Sequence, residues 1–208
     1  MDSIQAIQAE KKKVAIIMGS SRSNRLCVSI TKWFVEASKL KDHYADLEII
    51  DLVEWSLPLY DEAVSPMALN GNYTTEIGRK WQAKIGSIDA FVMISPEYNQ
   101  GYTSIFKNAI DYLIHEWQGK PLIVVSYGYG GGLGVNKQIS DILSGVSPIQ
   151  MRLTETRPKL HISRPMFDES GQIKDFSPFD KHLEDIRASV TEFIILNNTP
   201  FKFVPKWY

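Results

Sequence analysis

The stretch Ala90-Phe-Val-Met-Ile94, followed by Ser95-Pro-Glu-Tyr-Asn-Gln-Gly-Tyr102, decides the fold of this chain. The first five residues are apolar without polar alternation, which indicates a parallel strand buried on both faces. Proline, asparagine and glycine then interrupt the run, and a helical pattern begins at residue 102. Strand, loop and helix in this order are typical of a parallel α/β sheet, which binds ligands at the carboxyl ends of its strands. We therefore expect this loop to bind a flat ligand with a polar edge.

The same order occurs earlier, where the apolar run 13–18 leads into Gly19-Ser-Ser-Arg-Ser-Asn-Arg25. The loop hydroxyls and a helix start predicted at 24–26 favour an anion, because free N–H groups and the positive end of the helix dipole point at the loop. Arg22 and Arg25 add guanidinium groups that match phosphate geometry. An ordinary capped helix with two solvated arginines is the alternative. The position after the first strand favours a phosphate site, since doubly wound sheets bind ligands beside the switch between strands one and three.

A third loop, Ser126-Tyr-Gly-Tyr-Gly-Gly-Gly-Leu-Gly134, follows the apolar run 121–125. Its glycines let the backbone approach a ligand closely. The dinucleotide fingerprint G-x-G-x-x-G fails, because a count from Gly128 and Gly130 places Leu133 where the last glycine is required. No P-loop motif is present either. A flexible glycine loop without a ligand remains the alternative.

Hydrophobic periodicity predicts strands that alternate with helices. The predicted strands are 13–18, 46–51, 89–95, 121–126 and 149–156, the last extended or flanked by 157–163, and the predicted helices are 24–40, 72–85, 102–115, 134–144 and 179–197. This alternation predicts a three-layer α/β/α sandwich with a five-stranded parallel sheet. With 208 residues and no linker, we expect one domain, with an N-terminal extension 1–12 and a C-terminal tail 198–208.

Composition argues against several classes of protein. The net charge of −1 gives no basic field for nucleic acid or an anionic membrane. The first 13 residues lack an apolar core, so we expect neither a signal peptide nor a membrane span. The single cysteine, Cys27, predicts a reducing cytoplasm; a helix start would lower its thiol pKa, although a small buried residue is the expected role. The four histidines lack ligand spacing, and we predict no metal.

Six segments resemble the flavodoxin-like NAD(P)H-dependent FMN reductases, a family that includes small quinone reductases. The matching segments are Gly19-Ser-x-Arg22 for the phosphate loop, Leu57-Pro-Leu-Tyr-Asp61 for the loop after strand two, Ser95-Pro-Glu-Tyr-Asn99 with Lys107-Asn-Ala-Ile-Asp111 for the isoalloxazine loop and its helix, and Gly119-Lys-Pro121 with Ser126-Tyr-Gly128 for the third flavin loop. The resemblance covers residues 13 to about 145. The last quarter carries no matching motif.

The resemblance implies bound FMN, with NAD(P)H as co-substrate. Ser20 and Arg22 would hold the FMN phosphate, with Arg25 as a helper. The other implied contacts are to the isoalloxazine: Pro96, Glu97, Tyr98 and Asn99 along its pyrimidine edge, and Ser126, Tyr127 and Gly128 from the third loop. The resemblance also implies a homodimer with the flavin sites near the interface. Aromatic residues beside these loops, Trp117 among them, would stack on a ligand or seal that interface.

We interpret the chain as an enzyme that passes two electrons from NAD(P)H through bound FMN to quinones, free flavin or similar acceptors, by a ping-pong mechanism. The cofactor carries the chemistry, so no catalytic side chain is assigned. A flavodoxin-type electron carrier and a redox-sensing regulatory module are the alternatives. Two arginines in the first loop and the Pro-Glu-Tyr-Asn stretch favour the reductase over the carrier.

Overall fold

The computed structural model describes residues 12–144 and 147–204. Its strands are β1 (Lys13–Met18), β2 (Asp46–Asp51), β3 (Ala90–Pro96), β4 (Pro121–Gly128), β5 (Arg152–Leu153) and β6 (Lys159–His161). Its α-helices are α1 (Cys27–Ser38), α2 (Leu40–His43), α3 (Leu52–Trp55), α4 (Pro66–Leu69), α5 (Glu76–Gly86), α6 (Ser104–Asp111), α7 (Leu133–Leu143) and α8 (Leu183–Asn198). Two 3-10 segments, Arg164–Met166 and Ser177–His182, precede α8.

The strands form one parallel sheet in the order β2-β1-β3-β4-β5, with β6 also paired to β4. Every residue of β3 is buried, as its continuous apolar run predicts. Phe91 and Met93 face a core with α5, α6 and α7, whereas Val92 and Ile94 face a second core with α1 and α8. The predicted three-layer α/β/α sandwich is therefore confirmed.

The fifth position of the sheet is shared by two short strands. The strand expected at 149–156 is reduced to Arg152–Leu153, which pairs with the start of β4. The strand β6 pairs with the other end of β4, at Ser126 to Gly128. Pro158 lies between the two short strands and has no N–H to donate, although its carbonyl accepts a bond from Ser126 N at 3.0 Å. The chain leaves the sheet after β5 and bonds to β4 again at Pro158, the residue before β6.

The first helix begins later than expected. Residue 24 is the predicted start, but α1 begins at Cys27 and its N-cap residue, Leu26, makes no side-chain capping bond. The side chain of Asn24 instead donates to Ser170 O at 2.9 Å, so a residue type that commonly caps helices serves a distant segment. The helix α6 does follow the usual pattern, because Thr103 Oγ1 accepts a bond from Phe106 N.

The tail beyond α8 packs beside β5. Arg152 Nη1 donates to Thr199 O at 2.7 Å, and its guanidinium lies 5.6 Å from the centroid of the Phe201 ring. Gln150 Nε2 donates to Val204 O at 2.8 Å. The predicted extension 1–12 lies outside the described residues, apart from Lys12. Among the helices of the described chain, none is both long and apolar enough to cross a membrane.

Candidate functional site

The loops after β1, β3 and β4 meet at the carboxyl edge of the sheet and line one cleft of about 320 Å³. Most of the predicted site residues line this cleft, namely Arg22, Arg25, Pro96, Glu97, Tyr98, Tyr127 and Gly128. Three others do not: Ser20 and Ser126 are fully buried, and Asn99 is exposed outside the lining. The topology thus brings the three loops together, as a ligand at the switch between β1 and β3 requires.

The first loop begins with a tight contact at Gly19. A Cβ on Gly19 would lie 2.5 Å from Phe106 Cδ2, so only glycine fits against α6. Gly19 N donates to Ile94 O at 2.9 Å, and Thr103 Oγ1 donates to Gly19 O at 2.7 Å. Beyond this anchor, the backbone N–H groups of residues 20–25 have no hydrogen-bond acceptor within the described ranges. The loop therefore presents free donors, which suit an anion.

The two arginines of this loop differ in their surroundings. Arg22 is exposed, lines the cleft and has no ion-pair partner in the part of the chain that the structure describes. Arg25 forms an ion pair with Asp51 at the end of β2. Its Nε is buried and has no acceptor among the described residues. Arg22 is therefore free to bind an anion, whereas Arg25 is anchored and keeps one donor unused.

The second loop is a tight two-residue turn. Asn99 and Gln100 have φ values of 50° and 63°, and the turn is closed by two bonds of 3.0 Å between the backbones of Tyr98 and Gly101. Positive φ at both central residues is typical of a type I′ turn, in which asparagine is favoured first. The N–H of Tyr98 is consequently used within the chain. The N–H groups of Asn99 and Gln100 have no acceptor in residues 12–144 or 147–204.

Glu97 joins the second loop to the third. Its Oε2 accepts a bond from Gly134 N at 2.6 Å and from Val135 N at 3.2 Å, at the start of α7. A carboxylate here satisfies helix N–H groups that α7 leaves open and opposes the positive end of its dipole. A Cβ on Gly134 would overlap Gln100 O, so the two loops touch without intervening side chains. Sequence reasoning assigned Glu97 to the ring edge and missed this capping role.

The third loop is shaped by its own buried polar groups. Ser126 Oγ donates to Gly131 O at 2.9 Å and accepts from Asn136 Nδ2 at 3.2 Å. Gly131 and Gly132 have φ values of 76° and 73°, which glycine adopts without strain. Tyr129 is 68% exposed and lines the cleft. This loop therefore holds a rigid backbone with an accessible aromatic ring.

A cluster of polar side chains lies beneath the first loop. Ser20 Oγ lies 2.9 Å from Tyr98 Oη, and Tyr127 is buried beside Cys27. Burial raises the pKa of Tyr127 well above its ordinary value and raises the pKa of the Cys27 thiol to about 11. The alternative of a lowered thiol pKa does not hold, because desolvation outweighs the donors around the sulfur. The expectation of a small buried residue is confirmed.

Several cleft residues were absent from the predicted site, namely Asn24, Leu26, Gly130 and Ile162, whereas Tyr129 is one of the aromatic residues expected to stack beside these loops. Ile162 follows β6, in the quarter of the sequence without a motif. The two roles suggested for Trp117 are both wrong, because the ring is fully buried and packs against Phe91 and Trp81 in the core. The position of Trp117 just before the segment 119–121 suggested a contact with a ligand, but its ring belongs to the core.

Comparisons with known proteins agree with this arrangement. The family model described as NADPH-dependent FMN reductase matches residues 12–155. An NAD(P)H-dependent FMN reductase of Schizosaccharomyces pombe is 39% identical over 181 residues, which are 87% of this chain and 88% of that protein. A quinone reductase of Pseudomonas putida is 29% identical over 85% of this chain and 92% of its own length.

Solved structures share the fold. The flavoenzyme NAD(P)H:(acceptor) oxidoreductase FerB of Paracoccus denitrificans matches with a TM-score of 0.66 and 22% identity, over 88% of this chain and 98% of its own. An FMN-dependent NADH-azoreductase of Bacillus anthracis, in complex with FMN, matches with a TM-score of 0.54 and 14% identity, over 90% of this chain and all of its own (100%). At these identities the likeness concerns the architecture.

Proposed function

This chain belongs to the NADPH-dependent FMN reductase family, and on that premise we propose that it is an FMN-dependent oxidoreductase that passes two electrons from NAD(P)H to quinones, free flavin or similar small acceptors. The observation that carries the proposal is the first loop, whose backbone N–H groups have no acceptor in the described residues and whose Arg22 lines the cleft without an ion-pair partner there. The names of the relatives, FMN reductase and quinone reductase, support the donor and the class of acceptor.

The cleft residues fit FMN. The free N–H groups of residues 20–25 and the guanidinium of Arg22 form a donor set for a dianionic phosphate, while Arg25 is held by its ion pair with Asp51. Tyr129 lines the cleft and offers a ring for stacking. The turn next to Tyr98 lies outside the lining, and its free N–H groups at Asn99 and Gln100 would suit the carbonyl-bearing edge of a flavin that extends beyond the cleft. Bound FMN supplies the two-electron chemistry, so the protein has to bind and orient the reactants without an acid or base of its own.

The spectrum of the purified protein tests this proposal directly. We expect a yellow protein, or a colourless one that binds added FMN, and steady oxidation of NADH or NADPH when a quinone is present. A protein that binds no FMN would overturn the proposal. Bound FMN that accepts electrons only from a partner protein would instead favour the flavodoxin-type carrier.

We further propose that turnover is ping-pong. The three loops line one cleft, so donor and acceptor would enter the same opening in turn. Double-reciprocal plots at several fixed quinone concentrations should give parallel lines. Intersecting lines would show that both substrates bind together and would contradict the proposal.

We also propose that the protein is a homodimer in the cytoplasm. The segment between α3 and α5 exposes large apolar side chains beside a cavity of about 430 Å³, namely Leu59 (80% exposed), Val64 (48%) and, in α4, Met67 (42%). Such a patch is typical of a subunit interface. Leu59→Lys should shift the sedimentation coefficient towards a monomer, whereas Ile195→Lys, at an exposed position of α8, should not. An unchanged dimer in both variants would refute this interface.

The buried free thiol of Cys27 supports the proposed location in a reducing compartment, the cytoplasm.

A further inference from the structure

The last quarter of the chain contains a compact turn, residues 167–173, which we call the Asp168 turn. An antiparallel bridge between Phe167 and Ile173 closes it. Asp168 Oδ1 accepts bonds from Ser170 N at 2.9 Å, Ser170 Oγ at 2.7 Å and Gln172 N at 3.0 Å. These donors, the Ser170 hydroxyl foremost, hold the pKa of Asp168 below its ordinary value. The turn is therefore internally ordered.

The side-chain amide of Asn24, in the first loop, bonds to this turn through both its nitrogen and its oxygen. Asn24 Nδ2 donates to Ser170 O at 2.9 Å, and Asn24 Oδ1 accepts from Gln172 Nε2. Asn24 also lines the cleft, two residues beyond Arg22. The Asp168 turn thus reaches the loop that offers donors to an anion.

The first loop depends on such side-chain bonds. The backbone N–H groups of residues 20–25 donate no hydrogen bond within the described ranges, so backbone pairing does not fix the conformation of this loop. Ser20 is bonded to Tyr98 at one end, and Arg25 is paired with Asp51 at the other. Asn24 supplies the remaining attachment. A loop without it would lose more conformational freedom when a ligand binds, and its affinity would fall accordingly.

We propose that Asn24, Ser170 and Gln172 form a latch that orders the first loop for a phosphate monoester, so that the Asp168 turn sets the preference for FMN over riboflavin. The inference rests on the proposed function, since it assumes that FMN occupies the cleft. The turn lies beyond residues 12–155, the part that the family model matches. Gln172 is a positioning residue, because it acts on the loop through Asn24.

Gln172→Ala tests the latch, with Glu169→Ala as the matched control on the same turn. Glu169 is exposed and makes no hydrogen bond or ion pair in the described chain. Kd values for FMN and riboflavin are measured by quenching of flavin fluorescence. We expect Gln172→Ala to raise the FMN Kd by about three- to tenfold, the scale of one hydrogen bond, and the riboflavin Kd by less than about twofold. Glu169→Ala should leave both values unchanged.

Equal losses for FMN and riboflavin, or no loss for FMN, would overturn the latch. Limited trypsin digestion of the ligand-free protein gives a second readout, because cleavage after Arg22 should be several-fold faster in Gln172→Ala than in Glu169→Ala. Equal cleavage rates would contradict the inference even if Gln172→Ala lowered the Tm. A wild-type protein that binds no FMN would refute the proposed function itself, whereas FMN binding that Gln172→Ala leaves intact would refute the latch alone.

Discussion

Glu97 Oε2 lies 2.6 Å from the backbone nitrogen of Gly134, so the loop after β3 caps the helix that follows β4. The capping residue comes from a neighbouring loop, 37 positions earlier in the chain. Two walls of the cleft are therefore joined by this carboxylate, in addition to the backbone bond from Glu97 N to Tyr127 O. Changes at Glu97 should affect both stability and ligand binding.

Glu97→Ala should lower the free energy of unfolding by about 1 kcal/mol, the usual loss for a removed cap. Glu97→Gln should lose less, because its amide oxygen still accepts a bond from Gly134 N. Urea unfolding followed by circular dichroism measures both, with the exposed Glu155→Ala as control. A loss in Glu155→Ala equal to that in Glu97→Ala would exclude the cap as the cause.

Arg22→Ala should weaken FMN binding by about 1.5–3 kcal/mol, the scale of a charge-assisted hydrogen bond, and leave riboflavin affinity nearly unchanged. The reason is that Arg22 is the exposed guanidinium of the first loop without an ion-pair partner in the described residues. Titration of both flavins measures the contrast. Arg187→Ala, at an exposed position of α8, is the matched control and should bind both flavins normally. A similar loss for riboflavin would assign Arg22 another role.

Asn99→Pro should abolish flavin binding while the far-ultraviolet circular dichroism stays near that of the wild type. Proline requires φ near −65°, whereas Asn99 has a φ of 50°, so the turn cannot form. Asn99→Gly is the matched variant, because glycine adopts this φ and keeps the N–H. It should bind FMN within about threefold of the wild type. Normal flavin binding by Asn99→Pro would remove this loop from the site.

Lys120 should make the free energy of unfolding depend on pH in the alkaline range. Burial lowers its pKa to about 8, against an ordinary value of 10.5, while its Nζ donates to Ile85 O at 2.7 Å. Between these two pH values the unfolded chain binds more protons than the folded one, so stability rises with pH. Below pH 8 the full penalty of the buried charge is present, and above pH 10.5 it is absent.

Comparison with Lys120→Met isolates this effect from other titrating groups. The stability of the wild type relative to the variant should rise between pH 8 and pH 10, by less than about 1.4 kcal/mol per pH unit. Urea midpoints at several pH values measure the difference. A difference that stays constant, or falls, as the pH rises would show that the ammonium of Lys120 is not desolvated.

The architecture was predictable because its signals are local. The apolar run of β3 and the loop after it lie within 13 consecutive residues, and they specify a buried parallel strand with a ligand loop at its end. The order of such units then specifies the layers. Residue types in the first loop also predict an anion site, and the structure leaves Arg22 and the loop N–H groups without partners in the described residues.

The remaining features depend on contacts that no local pattern encodes. The bond from Asn24 to Ser170 spans 146 positions, and it engages the residue at which the first helix was expected to begin, three positions before Cys27. The ion pair between Arg25 and Asp51 likewise joins the first loop to the end of β2. In both cases the side chain bonds to a residue of a distant segment. A local sequence pattern does not contain that partner, so it predicts neither bond.

The divided fifth position of the sheet has a consequence for solubility. A long unpaired edge strand offers a template to the strands of other chains. Here β5 has two residues and β6 has three, Pro158 interrupts them, and the tail packs beside Arg152. At the opposite edge, β2 carries Asp46 and Glu48. Neither border of the sheet offers a long, uncharged strand, so intermolecular β-pairing, the first step of many aggregation reactions, is disfavoured on both sides.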